Sequence, residues 1–132
     1  MLVGFKKRFT PVIKDGSKIH TMRNTPKRMP KIGETMYMYS GLRTSNCCLI
    51  TKEHTLKYIQ KIRVVFHWAK PEKFHYPMIY INNRLLDHIE QNAFYISDGF
   101  KDEEDFLSFW NLKKEIEVEF NGYLFHWTNF KY

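Results

Sequence analysis

The stretch 16-GSKIHTMR-23 places Lys18, His20, Thr21 and Arg23 within six positions, directly behind a glycine. Side chains of these types can hydrolyse an amide, which needs a nucleophile, a base that activates it and a donor for the developing oxyanion. Thr21 could be the nucleophile or could hold a water. Lys18 could be the base only when neutral, and a free lysine has a pKa of ~10.4 that desolvation must lower. Otherwise Lys18 is an electrostatic clamp. Arg23 offers a fork of donors to a carbonyl or a phosphate. The plain alternatives are an exposed lysine, a strand or capping threonine, an ion-paired arginine and an ordinary surface histidine at His20. On a regular strand, Lys18, His20 and Met22 would share one face, with Thr21 and Arg23 on the other. Convergence of Lys18 and Thr21 therefore requires a turn.

The charge around this stretch is uneven. Residues 1–31 hold nine basic residues and one acid, while the other 101 hold twelve basic and thirteen acidic ones. The whole surplus of the +7 net charge is thus N-terminal. Such a segment attracts polyanions, nucleic acid foremost, and the plain alternative is a solvated basic face. Lys27, Arg28 and Tyr37 join Lys18, His20 and Arg23 as candidate ligand contacts, Tyr37 as a ring that could flank a base.

The elements that must position these residues follow from periodicity. The chain of 132 residues, 43% hydrophobic and 27% charged, predicts one domain spanning 1–132. No apolar run is long enough for a membrane span, and no signal peptide is expected. The only cysteines, Cys47 and Cys48, are adjacent and poorly placed to bridge, which points to a reducing, cytoplasmic setting. The six histidines are scattered, so neither a metal site nor a cofactor is expected. Residues 24–33 read as a loop and 34–41 as a short strand. In 56-LKYIQKIRVVFHW-68, Leu56, Tyr58, Ile62, Val64, Phe66 and Trp68 alternate with Lys57, Lys61, Arg63 and His67, which predicts a long strand with one buried face and Gln60 as its polar break. Asn82-Asn83 reads as a tight turn. A helix is predicted over 87–96, with Ile89, Ala93 and Ile96 at helical spacing, ended by Asp98-Gly99. A second follows the acidic start of 101-KDEEDFLSFW-110. Residues 114–130 read as a hairpin turning on Asn121-Gly122. The three tryptophans, Trp68, Trp110 and Trp127, read as core. The class is α+β, mainly β, a small barrel with two or three helices.

Three segments together resemble a known family. They are 13-IKDGSKIHTMR-23, 31-KIGET-35 and 98-DGFKDEEDFLSFW-110, which in this order and rough spacing are similar to the opening, the barrel-strand entry and the Gly-Phe-helix segment of the ASCH domain family of the PUA-like superfamily. They cover about a quarter of the chain, and residues 42–97 form an insert-like region that matches none of them. The resemblance implies a PUA-like β-barrel with a ligand cleft beside its mouth and an association with RNA. One branch of the family deacetylates acetylated cytidine with a Lys, a Thr and a Glu. Those positions fall on Lys18, Thr21 and Asp98, so this chain carries the shorter carboxylate. Asp98 would either favour the charged form of Lys18 or itself act as base. Its plain reading is a turn or helix-end residue.

Three functions are thus expected in order: an RNA- or modified-nucleoside-binding domain with a basic cleft, an amidohydrolase on acetylated cytidine in the same cleft, and a protein-interaction module, which needs no pocket.

Overall fold

The computed structural model describes residues 1–132. Its elements are, in chain order, β1 (Leu2–Phe5), a 3-10 turn (Lys7–Phe9), α1 (Thr10–Lys14), β2 (His20–Arg23), β3 (Thr35–Ser40), β4 (Cys48–Thr55), β5 (Tyr58–Ala69), β6 (Phe74–Ile81), β7 (Arg84–Leu85), α2 (His88–Ser97), α3 (Glu103–Phe109) and β8 (Val118–His126). The class is α+β, mainly β. The strands form two sheets, β1-β3-β4 and β2-β8-β5-β6-β7. β1 lies parallel to β3, and every other pairing is antiparallel. No helix is long and apolar enough to cross a membrane.

β5 is the template of the larger sheet. Its alternation puts Gln60, Ile62, Val64 and Phe66 inside, while Lys61 stays in solvent, as the period of two predicts. β6 pairs along one edge and β8 along the other. Residues 42–97 supply β4, β5, β6, β7 and α2. Asn82 and Asn83 both adopt positive φ and turn β6 into β7, which fits asparagine's tolerance of that region.

Two sequence expectations fail here. Asn121-Gly122 is not a turn, because β8 runs unbroken through it, with Asn121 opposite Arg63 and Gly122 opposite Ile62. The long ladder offered by β5 outweighs the local turn preference. Glycine serves close approach instead: a Cβ on Gly122 would stand 2.2 Å from the carbonyl oxygen of Arg23 in β2. Ile116 and Val118 are exposed. On α2, Ile89 and Ile96 are 80% and 54% exposed, and Ala93 also faces solvent. The buried side is Phe94 and Tyr95, which meet Phe106 of α3 at ring-centroid distances of 6.3 and 5.0 Å. Large rings bury more area than Ile or Ala, and they set the rotation of the helix. α2 itself starts on a capping box between Asp87 and Glu90.

One cluster of 21 buried apolar residues joins both sheets and the helices. Of the tryptophans, Trp127 is buried, and Trp68 and Trp110 are half-buried.

Gly122→Ala is expected to cost about 1–3 kcal/mol, since the added Cβ strikes backbone rather than a movable side chain. Asn121→Thr, at an exposed strand position, is expected to stay within about 0.5 kcal/mol. Urea midpoints of the two variants check this, and a hairpin turn would reverse their order.

Candidate functional site

Lys18 sits just before β2, where the chain leaves α1 through Gly16 at φ +86°. Its amide donates to the carbonyl of Val12, and the next residue's amide donates to Ser97 at the end of α2. This turn brings the lysine inward, so Lys18 is 2% exposed. Its Nζ donates to the carbonyls of His20 (2.9 Å) and Asp98 (2.5 Å) and stands 3.5 Å from Asp98 Oδ1. The rings of Phe9 and Phe5 lie 4.7 and 5.6 Å from it, at cation–π distance. The Cα of Gly99 packs on the lysine stem: a Cβ there would reach Lys18 Cδ at 2.9 Å and Phe9 at 2.8 Å, and φ is +99°. The Asp-Gly-Phe sequence after α2 is thereby explained. Asp98 closes the helix, Gly99 makes room and Phe100 joins the core.

Asp98 is buried as well, and it has a second partner. His20 is fully buried, not a surface histidine, and its Nδ1 lies 2.9 Å from Asp98 Oδ1. With Nδ1–H given to the carboxylate, Nε2 accepts from the Tyr132 hydroxyl at 2.8 Å. Beyond it, Gln60 Oε1 accepts from the Tyr132 amide (3.1 Å) and from His126 Nε2 (2.9 Å), and Gln60 Nε2 donates to the Tyr132 carbonyl (2.7 Å). The polar break in β5 is thus the anchor of a buried network.

A cavity of about 320 Å³ opens beside Lys18. Lys18, Thr21, Arg23 and Asp98 line it together with the aromatic residues Phe5, Phe9, Phe100, Phe106, Phe109 and Trp110, and the Arg23 guanidinium lies over the Phe5 ring at 4.8 Å. Arg23 Nε donates to Thr21 Oγ1 (3.2 Å), and Arg23 donates a second bond to the Gly4 carbonyl (2.8 Å). That leaves three of its five N–H donors for other partners. Trp110 lines the cavity, and its indole Nε1 is buried without an acceptor. The turn before β2 brings Lys18 and Thr21 to one cavity, although no hydrogen bond joins them.

The electrostatics follow from burial. Loss of water lowers the Lys18 pKa to about 8, against the opposing pull of Asp98. His20 is lowered by burial, which outweighs its bond to Asp98. His126 is lowered to about 3 by burial and by the neighbouring His20. Burial raises the Tyr132 phenol, so it stays a donor. Arg23 is also lowered by burial but remains a cation.

Of the residues singled out from sequence, Lys18, Thr21, Arg23 and Asp98 meet at the cavity. His20 lies behind Asp98, away from the cavity wall. Lys27, Arg28 and Tyr37 are exposed and elsewhere, with Arg28 paired to Glu34 at 3.2 Å. The N-terminal basic segment is not one free face: Lys18 is inside and Arg8 is paired with Asp105 at 2.6 Å. Tyr132, Gln60, His126 and the aromatic wall were missed. Only Gln60, a lone polar residue on a buried strand face, carried a signal. No group of three or more His, Cys, Asp or Glu side chains is placed to hold a metal ion, and both cysteines are free and exposed. No protein-family model matches the chain, and neither curated proteins nor solved structures yield a match.

The buried imidazoles set an acid limit. Above about pH 6.5 His126 is neutral both folded and unfolded, and its contribution is complete. Below that, the unfolded chain binds a proton that folded His126 refuses until about pH 3. Stability then falls by about 1.4 kcal/mol per pH unit from this group alone. His126→Gln should flatten the stability–pH curve between pH 4 and 6 by about one proton, as read from chemical denaturation. An unchanged slope would contradict the neutral, buried assignment.

Proposed function

We propose that the cavity binds a modified nucleoside, in keeping with the ASCH resemblance, and that it cleaves an acyl amide on the base. The observation that carries this is Lys18: a buried amine with a pKa of about 8, opening on an aromatic-walled cavity of about 320 Å³. A pKa near 8 leaves roughly a tenth of the lysine neutral at pH 7. In the neutral amine, two hydrogens serve the His20 and Asp98 carbonyls, and the lone pair is free. A general base needs that state, and a phosphate clamp does not. Rings and hydrogen-bond donors lining one cavity suit a flat heterocycle bearing a carbonyl. The spare Arg23 donors would meet its oxygens.

In this reading a water, oriented by Thr21, gives its proton to Lys18 as its oxygen adds to the acyl carbon. Arg23 stabilises the oxyanion. The C–N bond then breaks, the Lys18 ammonium returns the proton to the departing amine, and acid and free amine are released. Asp98 and His20 position the lysine. Binding of such a nucleoside without turnover is the second reading, favoured by the shorter Asp98 carboxylate and by the absence of a Lys18–Thr21 bond. The protein-interaction reading expects no pocket, and the cavity speaks against it. A PUA-like arrangement of the two sheets belongs to the same proposal, supported by the meeting of segments 13–23 and 98–110 at one site. So does a cytoplasmic setting, supported by the two free, exposed thiols.

Acetylcytidine supplied to the protein should be converted to cytidine, with kcat/KM rising to a plateau above about pH 8. Lys18→Met should lower kcat by about 10²–10⁴-fold. Thr21→Val should retain ligand binding and slow turnover. Binding of acetylcytidine with no product would leave the second reading. Neither binding nor product would overturn both.

A further inference from the structure

β1 and β2 are each the end strand of their own sheet, and residues of both line the Lys18 cavity. A second hollow, of about 250 Å³, is lined by other residues of the same two segments, Leu2 and Val3 on one side and Arg23 and Asn24 on the other. Arg23 is the one residue that lines both spaces. Pro30 and Phe125, both buried, add to the apolar lining of the hollow, and no acidic side chain lines it. Arg28 lines it as well and stays exposed; it gives one donor to Glu34, which is outside the lining. Arg23 itself is half-buried, and burial works against its charge. Its hydrogen-bond partners are the Thr21 hydroxyl and the Gly4 carbonyl, with no carboxylate among them. A guanidinium partly out of water and without a carboxylate gains from an anion that takes its spare donors.

We propose that this hollow binds a small apolar carboxylate on Arg23, and that its occupancy holds the proton on Lys18. The lining selects the ligand class. A carboxylate on a short aliphatic or aromatic body matches both the guanidinium fork and the apolar residues around it, whereas a free phosphate would leave those residues unmatched. The link to Lys18 is electrostatic. Burial does most to lower the Lys18 pKa; among the charges, Asp98 raises it, and Arg23 and Arg8 lower it. The His20 ring, also beside Asp98, is kept neutral by burial. Arg8 is already paired with Asp105 at 2.6 Å. Arg23 has no such partner, so an anion on it removes a charge that favours the neutral amine. The inference concerns binding and the proton on Lys18, and it does not rest on the reaction proposed for the cavity.

The test is an NMR titration of the isotope-labelled protein with benzoate and, as its uncharged counterpart, benzamide. Benzoate should give saturable shifts of the Leu2, Val3, Asn24 and Phe125 amides, with a Kd on the order of 1 mM. Benzamide should bind about tenfold more weakly or worse, because it lacks the charge. Arg28→Glu, an exposed change that spares the core, should weaken benzoate about 3- to 10-fold. With benzoate saturating, the midpoint of the Lys18 side-chain titration should rise by about 0.5 pH unit or more. Arg23→Lys keeps the charge and removes the fork, and it should lose most of the benzoate affinity. Equal binding of benzamide, full affinity in Arg28→Glu, or shifts confined to Phe9, Phe100 and Phe109 of the cavity would overturn the proposal. So would the absence of saturable shifts, or an unmoved Lys18 midpoint with benzoate bound. If Arg23→Lys fails to fold, Arg28→Glu and benzamide decide.

Discussion

A lysine ammonium taken out of water costs several kcal/mol unless its surroundings replace the lost hydration, and Lys18 is where this chain meets that cost. Two carbonyls, one carboxylate and two aromatic faces do the replacing. Each comes from a different part of the chain: β1 supplies Phe5, the 3-10 turn Phe9, β2 the His20 carbonyl, and the end of α2 supplies Asp98. These elements meet around a single side chain that must be satisfied from all sides. The replacement is incomplete, because burial still lowers the pKa to about 8. The same incompleteness leaves a fraction of the amine neutral near pH 7.

Asp98 links this amine to a second layer. Its carboxylate accepts from His20, whose far nitrogen accepts from Tyr132, and Tyr132 is gripped in turn by Gln60 beside His126. Every member of that chain lies in low-dielectric surroundings, where a satisfied network holds one geometry and an unsatisfied one is expensive. The network crosses from β2 to β5 and β8, so the larger sheet fixes the angle from which Asp98 meets Lys18. Within this network His126 Nδ1 is left without a partner. Protonating it would bury a charge beside His20, which is why its pKa is driven so low.

Much of the frame was legible in the sequence. The period of two in 56–68 announced β5 (Tyr58–Ala69), Asn82-Asn83 the turn after β6, and the acidic start of 102–105 the helix α3. The lysine, threonine and aspartate were picked out by their place in short motifs, and they do share a cavity. What failed has physical causes. Asn121-Gly122 has the local chemistry of a turn, but a long partner strand and a close crossing by the Arg23 carbonyl override it. The apolar spacing of Ile89, Ala93 and Ile96 lost to the larger rings of Phe94 and Tyr95. The charge count of residues 1–31 could not reveal that Lys18 is inside or that Arg8 and Arg28 are paired. Nothing local to Tyr132 or to the aromatic wall announces a site, since these residues meet only through long-range packing.

The central claim, a buried Lys18 that loses its proton close to neutrality, can be measured on the free protein. Selective carbon and nitrogen labelling of lysine, with the side-chain signal of Lys18 assigned by its loss in Lys18→Met, allows an NMR titration from pH 6 to 11. The account predicts a midpoint near pH 8 for this signal, well below the other lysines. A midpoint at the free-lysine value of ~10.4 would contradict it, because the ammonium would then be as well solvated as in water and could not serve as a base.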